Sequence, residues 1–199
     1  MPHVKRYVGQ KCYLATPIPE DAEKWRLWDN DQEVILPAST SGYRTPATAL
    51  YTNQGIPKEV PNHFFTIVDL ASDEAIGWCK LDHVHPINRR GDISIMIGAP
   101  PFRGRGYGQE AVRLLLDVAF NLVNVESVEL GVFAFNKHAI GCYEKVGFKT
   151  VGRRRNARIV GGQAHDVVVM DILASEFVYP DSPIRAVVAH EGRPPAAET

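Results

Sequence analysis

No apolar run in this chain approaches the ~20 residues needed to cross a bilayer, and the opening MPHVKR lacks the apolar stretch of a secretory signal. A cytoplasmic protein with no membrane partner is the expectation. Cysteine is scarce. Cys12, Cys79 and Cys142 are odd in number and have no metal-ligand spacing, so they read as free thiols in a reducing compartment rather than a disulfide framework or a metal site. An excess of either charge is missing too: 22 basic against 23 acidic residues give a net charge of −1, which provides no general pull toward nucleic acid or anionic lipid. Internal repeats are absent, so a solenoid is excluded.

What is there suits one core. At 199 residues and 45% hydrophobic, the chain is long enough for a single domain, expected over 1–179. The segment 180–199, with prolines at 180, 183, 194 and 195 and no apolar periodicity, is expected to be an unstructured tail. Alternation predicts strands at 10–15, 63–70, 75–84, 92–97 and 126–135, and a closing hairpin of 148–156 and 164–173 turned at Gly161 and Gly162. Helical spacing predicts an amphipathic helix carrying Ala22, Trp25, Leu27 and Trp28, a second carrying Ala111, Val112, Leu115, Val118, Ala119 and Leu122, and a third from an Asn136 cap to Val146, stopped by Gly147. Between 31 and 62, four prolines and several Ser/Thr residues predict loops and short helical turns, where acceptor specificity could sit.

The chain is organised around FRGRGYGQEAV, residues 102–112. Strand, glycine-rich loop and helix follow one another there, so backbone N–H groups are exposed at a helix N-terminus, where the macrodipole is positive. That is an anion site, most often for phosphate. Gln109 stands where a dinucleotide fingerprint needs its third glycine, and the Gly-Lys-Ser/Thr of a nucleotide P-loop is absent.

Arg103-x-x-Gly106-x-Gly108 resembles the acyl-CoA pyrophosphate loop of the GCN5-related N-acetyltransferase (GNAT) family. NKHAIGCYEKVGF, residues 136–148, resembles that family's second acetyl-CoA-contacting block. The resemblance covers 92–173 in the family's order, and the INRRGD lead-in with the long last hairpin is similar to the RimJ/RimL-like branch, which acetylates ribosomal-protein N-termini and polyamines. It implies an α/β (α+β) GNAT fold, with a mixed central β-sheet, a splayed strand pair and flanking helices. It also implies acetyl-CoA as co-substrate, no metal, a primary amine of a small molecule, polyamine or protein N-terminus as acceptor, and a homodimer. The coenzyme residues so implied are Ile97, Arg103, Gly104, Arg105, Gly106, Tyr107, Gly108, Asn136 and Tyr143.

Asn136 and Tyr143 lie seven residues apart and so share a helix face. In the family the asparagine meets the pantetheine arm, and the tyrosine sits by the thioester sulfur, where it can act as general acid. A backbone N–H near Ile97 would face the carbonyl oxygen. Many relatives carry a glutamate base five residues before the asparagine, but Gly131 stands there. Glu129, Asp92, the pair His83 and His85, or a water relay are the remaining candidates. His83 and His85 lack a third metal ligand. Cys142 is expected to point away from Tyr143's cleft, which argues against an acyl-cysteine. The basic run Arg153, Arg154, Arg155 with Arg158 reads as a solvated strand face; nucleic acid, an acidic substrate or the 3′-phosphate of CoA are the other partners it suits. The alternative to an enzyme is an acyl-CoA-binding sensor or scaffold without turnover.

Overall fold

The computed structural model describes residues 2–37 and 63–191. Eight strands form one sheet: β1 (Lys5–Val8), β2 (Cys12–Ala15), β3 (Phe64–Asp69), β4 (Ala75–His85), β5 (Arg90–Ile97), β6 (Ser127–Phe133), β7 (Lys149–Val160) and β8 (Gln163–Leu173). Their order is β1-β2-β3-β4-β5-β6-β8-β7. β1 to β5 are antiparallel neighbours, and β5 to β6 is the parallel step that a strand-helix-strand crossover requires. The helices are α1 (Asp21–Asn30), α2 (Gln32–Ile35), α3 (Tyr107–Asn121), α4 (Lys137–Val146) and α5 (Pro183–Glu191).

α3 is the centre of the core. Leu114, Leu115 and Leu116 are consecutive and all fully buried, so this helix is covered on every side, by β2, β4 and β5 and by α4 and α5. Each leucine contributes on the order of 2 kcal/mol by leaving water. Leu122, predicted to join them, sits beyond the helix end and is half exposed. α1 docks through Trp25, whose ring meets Phe64 edge-on while Phe64 stacks on Trp78. Its first residue, buried Asp21, accepts from Thr66 Oγ1 at 2.6 Å and Ile18 N at 3.0 Å.

Two elements differ from expectation. β1 was not predicted, because KRYV is a short, mostly exposed edge strand without strict alternation. The segment after Pro180 is not unstructured from its start, since it forms α5. Ser182 Oγ accepts from Arg185 N at 3.0 Å and Pro183 follows it, a cap and first-position pair. The helix is held to the core by fully buried Asp117 of α3, which accepts from Ser182 Oγ at 2.7 Å, Ile184 N at 3.3 Å and Asn121 Nδ2 at 2.6 Å. Asp117→Ala should cost about 1–2 kcal/mol, because the buried donors lose their acceptor while the cost of burying a carboxylate is relieved. Amide exchange should accelerate in α5 before the sheet; equal protection in α5 would mean that Asp117 does not anchor it. Residues 38–62 of the predicted loop region and 192–199 of the predicted tail lie outside the described residues.

Candidate active site

β5 and β6 pair only at Arg90 with Ser127, Gly91 with Val128 and Asp92 with Glu129. Beyond those rows the two strands diverge. Gly98 N–H bonds Ile76 O on β4 at 2.9 Å; since neighbouring strand amides alternate in direction, those of Ile93, Ile95 and Ile97 point the other way, into the gap.

Two cavities open on this gap. The larger, about 500 Å³, is walled by the end of β5, the glycine loop and one face of α4. The smaller, about 350 Å³, lies over β5, β6 and β7. Ile95, Asn136, Ala139 and Tyr143 line both.

The loop has the backbone an anion site needs. Gly104 and Gly106 have φ of 71° and 89°, a region costly to residues with a Cβ, and Gly106 caps α3. Gly108 looks across at Cys142 Sγ, which an added Cβ would approach to 3.7 Å. Arg103 lines the cavity while its guanidinium donates to Ile97 O at 3.0 Å and Gly98 O at 2.6 Å, so it also ties the loop to the end of β5. Lys11 Nζ supports the loop from behind by donating to Arg105 O at 2.9 Å. Arg105 itself is exposed and its side chain does not wall the cavity. Tyr107 turns inward: its hydroxyl donates to Asp69 Oδ1 at 2.6 Å, a bond that raises its pKa to about 12. Its phenol is therefore committed to β3, and only its amide remains at the loop.

Asn136 caps α4 as predicted, accepting from Ala139 N at 3.0 Å, but its Nδ2 donates to Pro37 O at 2.9 Å. Its carboxamide thus has one N–H left for a ligand. Tyr143 is half-buried with its ring edge-on to Phe148. Among the described residues its hydroxyl has no hydrogen-bond partner. Burial first, and then Cys142, pushes the phenol well above its ordinary pKa, so it is a neutral donor at pH 7.

Cys142 corrects an expectation, for it lines the larger cavity beside Tyr143. Its thiol is raised by burial, a shift that Arg113 and Lys145 only partly oppose, so it remains a weak nucleophile. His83 and His85 do not project together either. A bulge between Asp82 and His85 breaks the alternation, with His83 at φ 49°. His83 Nδ1 meets Asp92 Oδ2 at 3.1 Å inside the smaller cavity, whereas His85 Nδ1 accepts from Asn88 N at 3.0 Å in the turn. Glu129 lines that cavity as well, 3.4 Å from Arg154. Asp92 and Glu129 are thus brought side by side, while a side chain at Gly131 would crowd Val167 at 3.1 Å.

Sequence reading overlooked Lys137, Gly141 and Lys145, which wall the larger cavity at four-residue spacing along α4. That spacing was a usable signal, since residues four apart share a helix face. Lys137 and Lys145, with Arg103, supply positive charge around a space bordered by the glycine loop, and this fits a diphosphate.

A family model for the acetyltransferase (GNAT) domain matches residues 12–149. The chain is 30% identical over 112 residues to a spermidine N(1)-acetyltransferase of Vibrio cholerae, covering 56% of this chain and 64% of that one. It is 29% identical over 175 residues to the SPbeta prophage-derived uncharacterized N-acetyltransferase YokL of Bacillus subtilis, covering 87% and 96%. The chain therefore spans a little under two thirds of the length of the first of these relatives. In fold it is similar to the spermidine N-acetyltransferase from Vibrio cholerae in complex with CoA and spermine, with a TM-score of 0.73, 24% identity, and 84% and 98% of the two chains covered. The chain belongs to the GNAT acetyltransferase family.

Proposed function

We propose that this protein is an acetyl-CoA-dependent N-acetyltransferase that passes an acetyl group directly to a primary amine. The observation that carries the reading is the shared wall. Tyr143 and Ile95 border both cavities at the point where β5 and β6 part, so a thioester entering from one side and an amine entering from the other would meet there.

Acetyl-CoA supplies the activated acetyl thioester. In the transfer a C–N bond forms, the C–S bond breaks, the amine loses a proton and the departing sulfur gains one. The loop amides at Gly104, Gly106 and Gly108, with Arg103, Lys137 and Lys145, suit the diphosphate. The amide N–H of Ile97 is directed into the gap, where it can donate to the carbonyl oxygen as charge grows there. Tyr143 Oη donates a proton to the sulfur.

Freeing a lysine-like amine of pKa ~10.4 at pH 7 costs about 4.6 kcal/mol (3.4 units at 1.36 each). Asp92, Glu129 and His83 surround the acceptor side and can take that proton directly or through water. The association of His83 with Asp92 makes this pair the better relay, because imidazole exchanges protons near neutrality.

The test has two parts. Acetyl-CoA at ~100 times its Kd should stabilise the fold by about 2.7 kcal/mol, a visible rise in Tm. Thiol release over an amine panel should then identify an acceptor. A rise in Tm without CoA release from any amine would instead favour the sensor or scaffold reading.

A further inference from the structure

The smaller cavity carries both signs of charge. Asp82, Asp92 and Glu129 line its β4, β5 and β6 side, and Arg154 and Arg158 line it from β7. Most of these groups are matched within the protein: Asp82 with Lys80 at 2.5 Å, Asp92 with His83 at 3.1 Å and Glu129 with Arg154 at 3.4 Å. Arg158 is different. Its guanidinium donates to the Ala157 carbonyl at 3.1 Å, and among the described residues no carboxylate pairs with it.

The backbone brings that guanidinium to the cavity. Arg154 faces Val167 and Arg158 faces His165, so four residues of β7 oppose two of β8. The two arginines are thereby separated by two partner rows, roughly 7 Å of sheet, instead of the ~14 Å that four regular residues would span. The bulge is fixed by Asn156, at φ 48°, whose N–H donates to Asp166 Oδ1 at 2.8 Å. Asp166 Oδ2 also takes Arg153 at 2.9 Å. One carboxylate thus pins the bulge and occupies a neighbouring arginine, and Arg158 is left to face the cavity. Bulges beside functional sites commonly re-aim a side chain in this way.

Building on the acetyltransfer reading above, we infer that the acceptor is an amine that also bears a carboxylate, a small amino-acid-like molecule. Its ammonium end is drawn to Asp92 and Glu129 at the splay, and its carboxylate is received by Arg158. A space of about 350 Å³ suits a molecule of that size. A linear polyamine would set its second ammonium against Arg154 and Arg158, which is the wrong sign.

The experiment compares free amino acids with their amides, their decarboxylated amines and linear diamines, by CoA release. The best amino acid should exceed its own amide by at least about tenfold in kcat/KM. Arg158→Gln should erase that preference, and Arg155→Gln, whose side chain does not line the cavity, should retain it. Preference for diamines over every amino acid, or a carboxylate preference untouched by Arg158→Gln, would overturn the inference. Should no amine release CoA, acetyl transfer itself is refuted, and calorimetric titration of the amino acids into CoA-loaded protein decides separately. Binding that Arg158→Gln abolishes supports the carboxylate site; absence of binding overturns it.

Discussion

Tyr143→Phe should lower kcat by roughly 10²-fold or more, the range for loss of a positioned acid, while acetyl-CoA affinity and Tm stay nearly unchanged. The separation of these effects follows from the surroundings of the phenol. Its ring packs edge-on against Phe148 and borders both cavities, and phenylalanine preserves all of that. Its hydroxyl has no partner among the described residues, so removing it breaks no bond within the fold. A hydroxyl kept neutral by burial is suited to one task, donation to a group that arrives with the substrate. Parallel measurement of single-turnover rate, coenzyme Kd and Tm checks this. Unchanged turnover would remove Tyr143 from the chemistry, and a matching fall in Tm would make it a packing residue.

The second large effect lies in the support of the glycine loop. Glu110, in the first turn of α3, accepts backbone N–H bonds from Lys11 at 2.8 Å, Cys12 at 3.1 Å and Gln10. Gly9 allows this approach, because a Cβ there would meet Glu110 Oε1 at 2.6 Å. Charge-assisted bonds of this kind contribute ~1.5–3 kcal/mol each when dry. Two of these three amides are exposed, and water can partly replace the carboxylate for them. Glu110→Ala should therefore cost about 2–4 kcal/mol in all, or roughly 4–16 °C in Tm for a chain of this size. The turn that Glu110 holds also carries Lys11, whose ammonium grips the Arg105 carbonyl. On the acetyltransfer proposal, acetyl-CoA affinity should thus fall along with stability, even though Glu110 does not line the larger cavity. Loss of stability with an unaltered coenzyme Kd would show the loop to be independent of this turn.

These residues mark how far the sequence can be read. Strand and helix order from 63 to 173 followed from alternation and helical spacing, because those patterns are local. The loop at 103–108 and the Asn136 cap are legible for the same reason: positive φ favours glycine, and a cap needs a side-chain acceptor. What stayed hidden was set by distance or by broken periodicity. Nothing local announces that Glu110 reaches Gln10–Cys12 or that Asp117 receives Ser182. The bulges in β4 and β7 break the period of two, so strict alternation pairs His83 with His85 and puts Arg158 in solvent, and the structure does neither. Cys142 escapes the sequence pattern because helical spacing fixes a direction around the axis, not the width of the cleft beside α4.

Glu110 and Asp117 lie two turns apart on α3, and they draw in stretches from opposite ends of the described chain. The Gln10 side chain even reaches Asp181 at 3.4 Å, across 171 positions. The bracing of the helix behind the glycine loop is consequently completed late in synthesis. The glycine loop leaves the ribosome with more than half of the chain made, yet the helix behind it gains its last support only when residues 182–184 emerge. A nascent chain halted before that point would carry the glycine motif intact in sequence but incompletely braced in space.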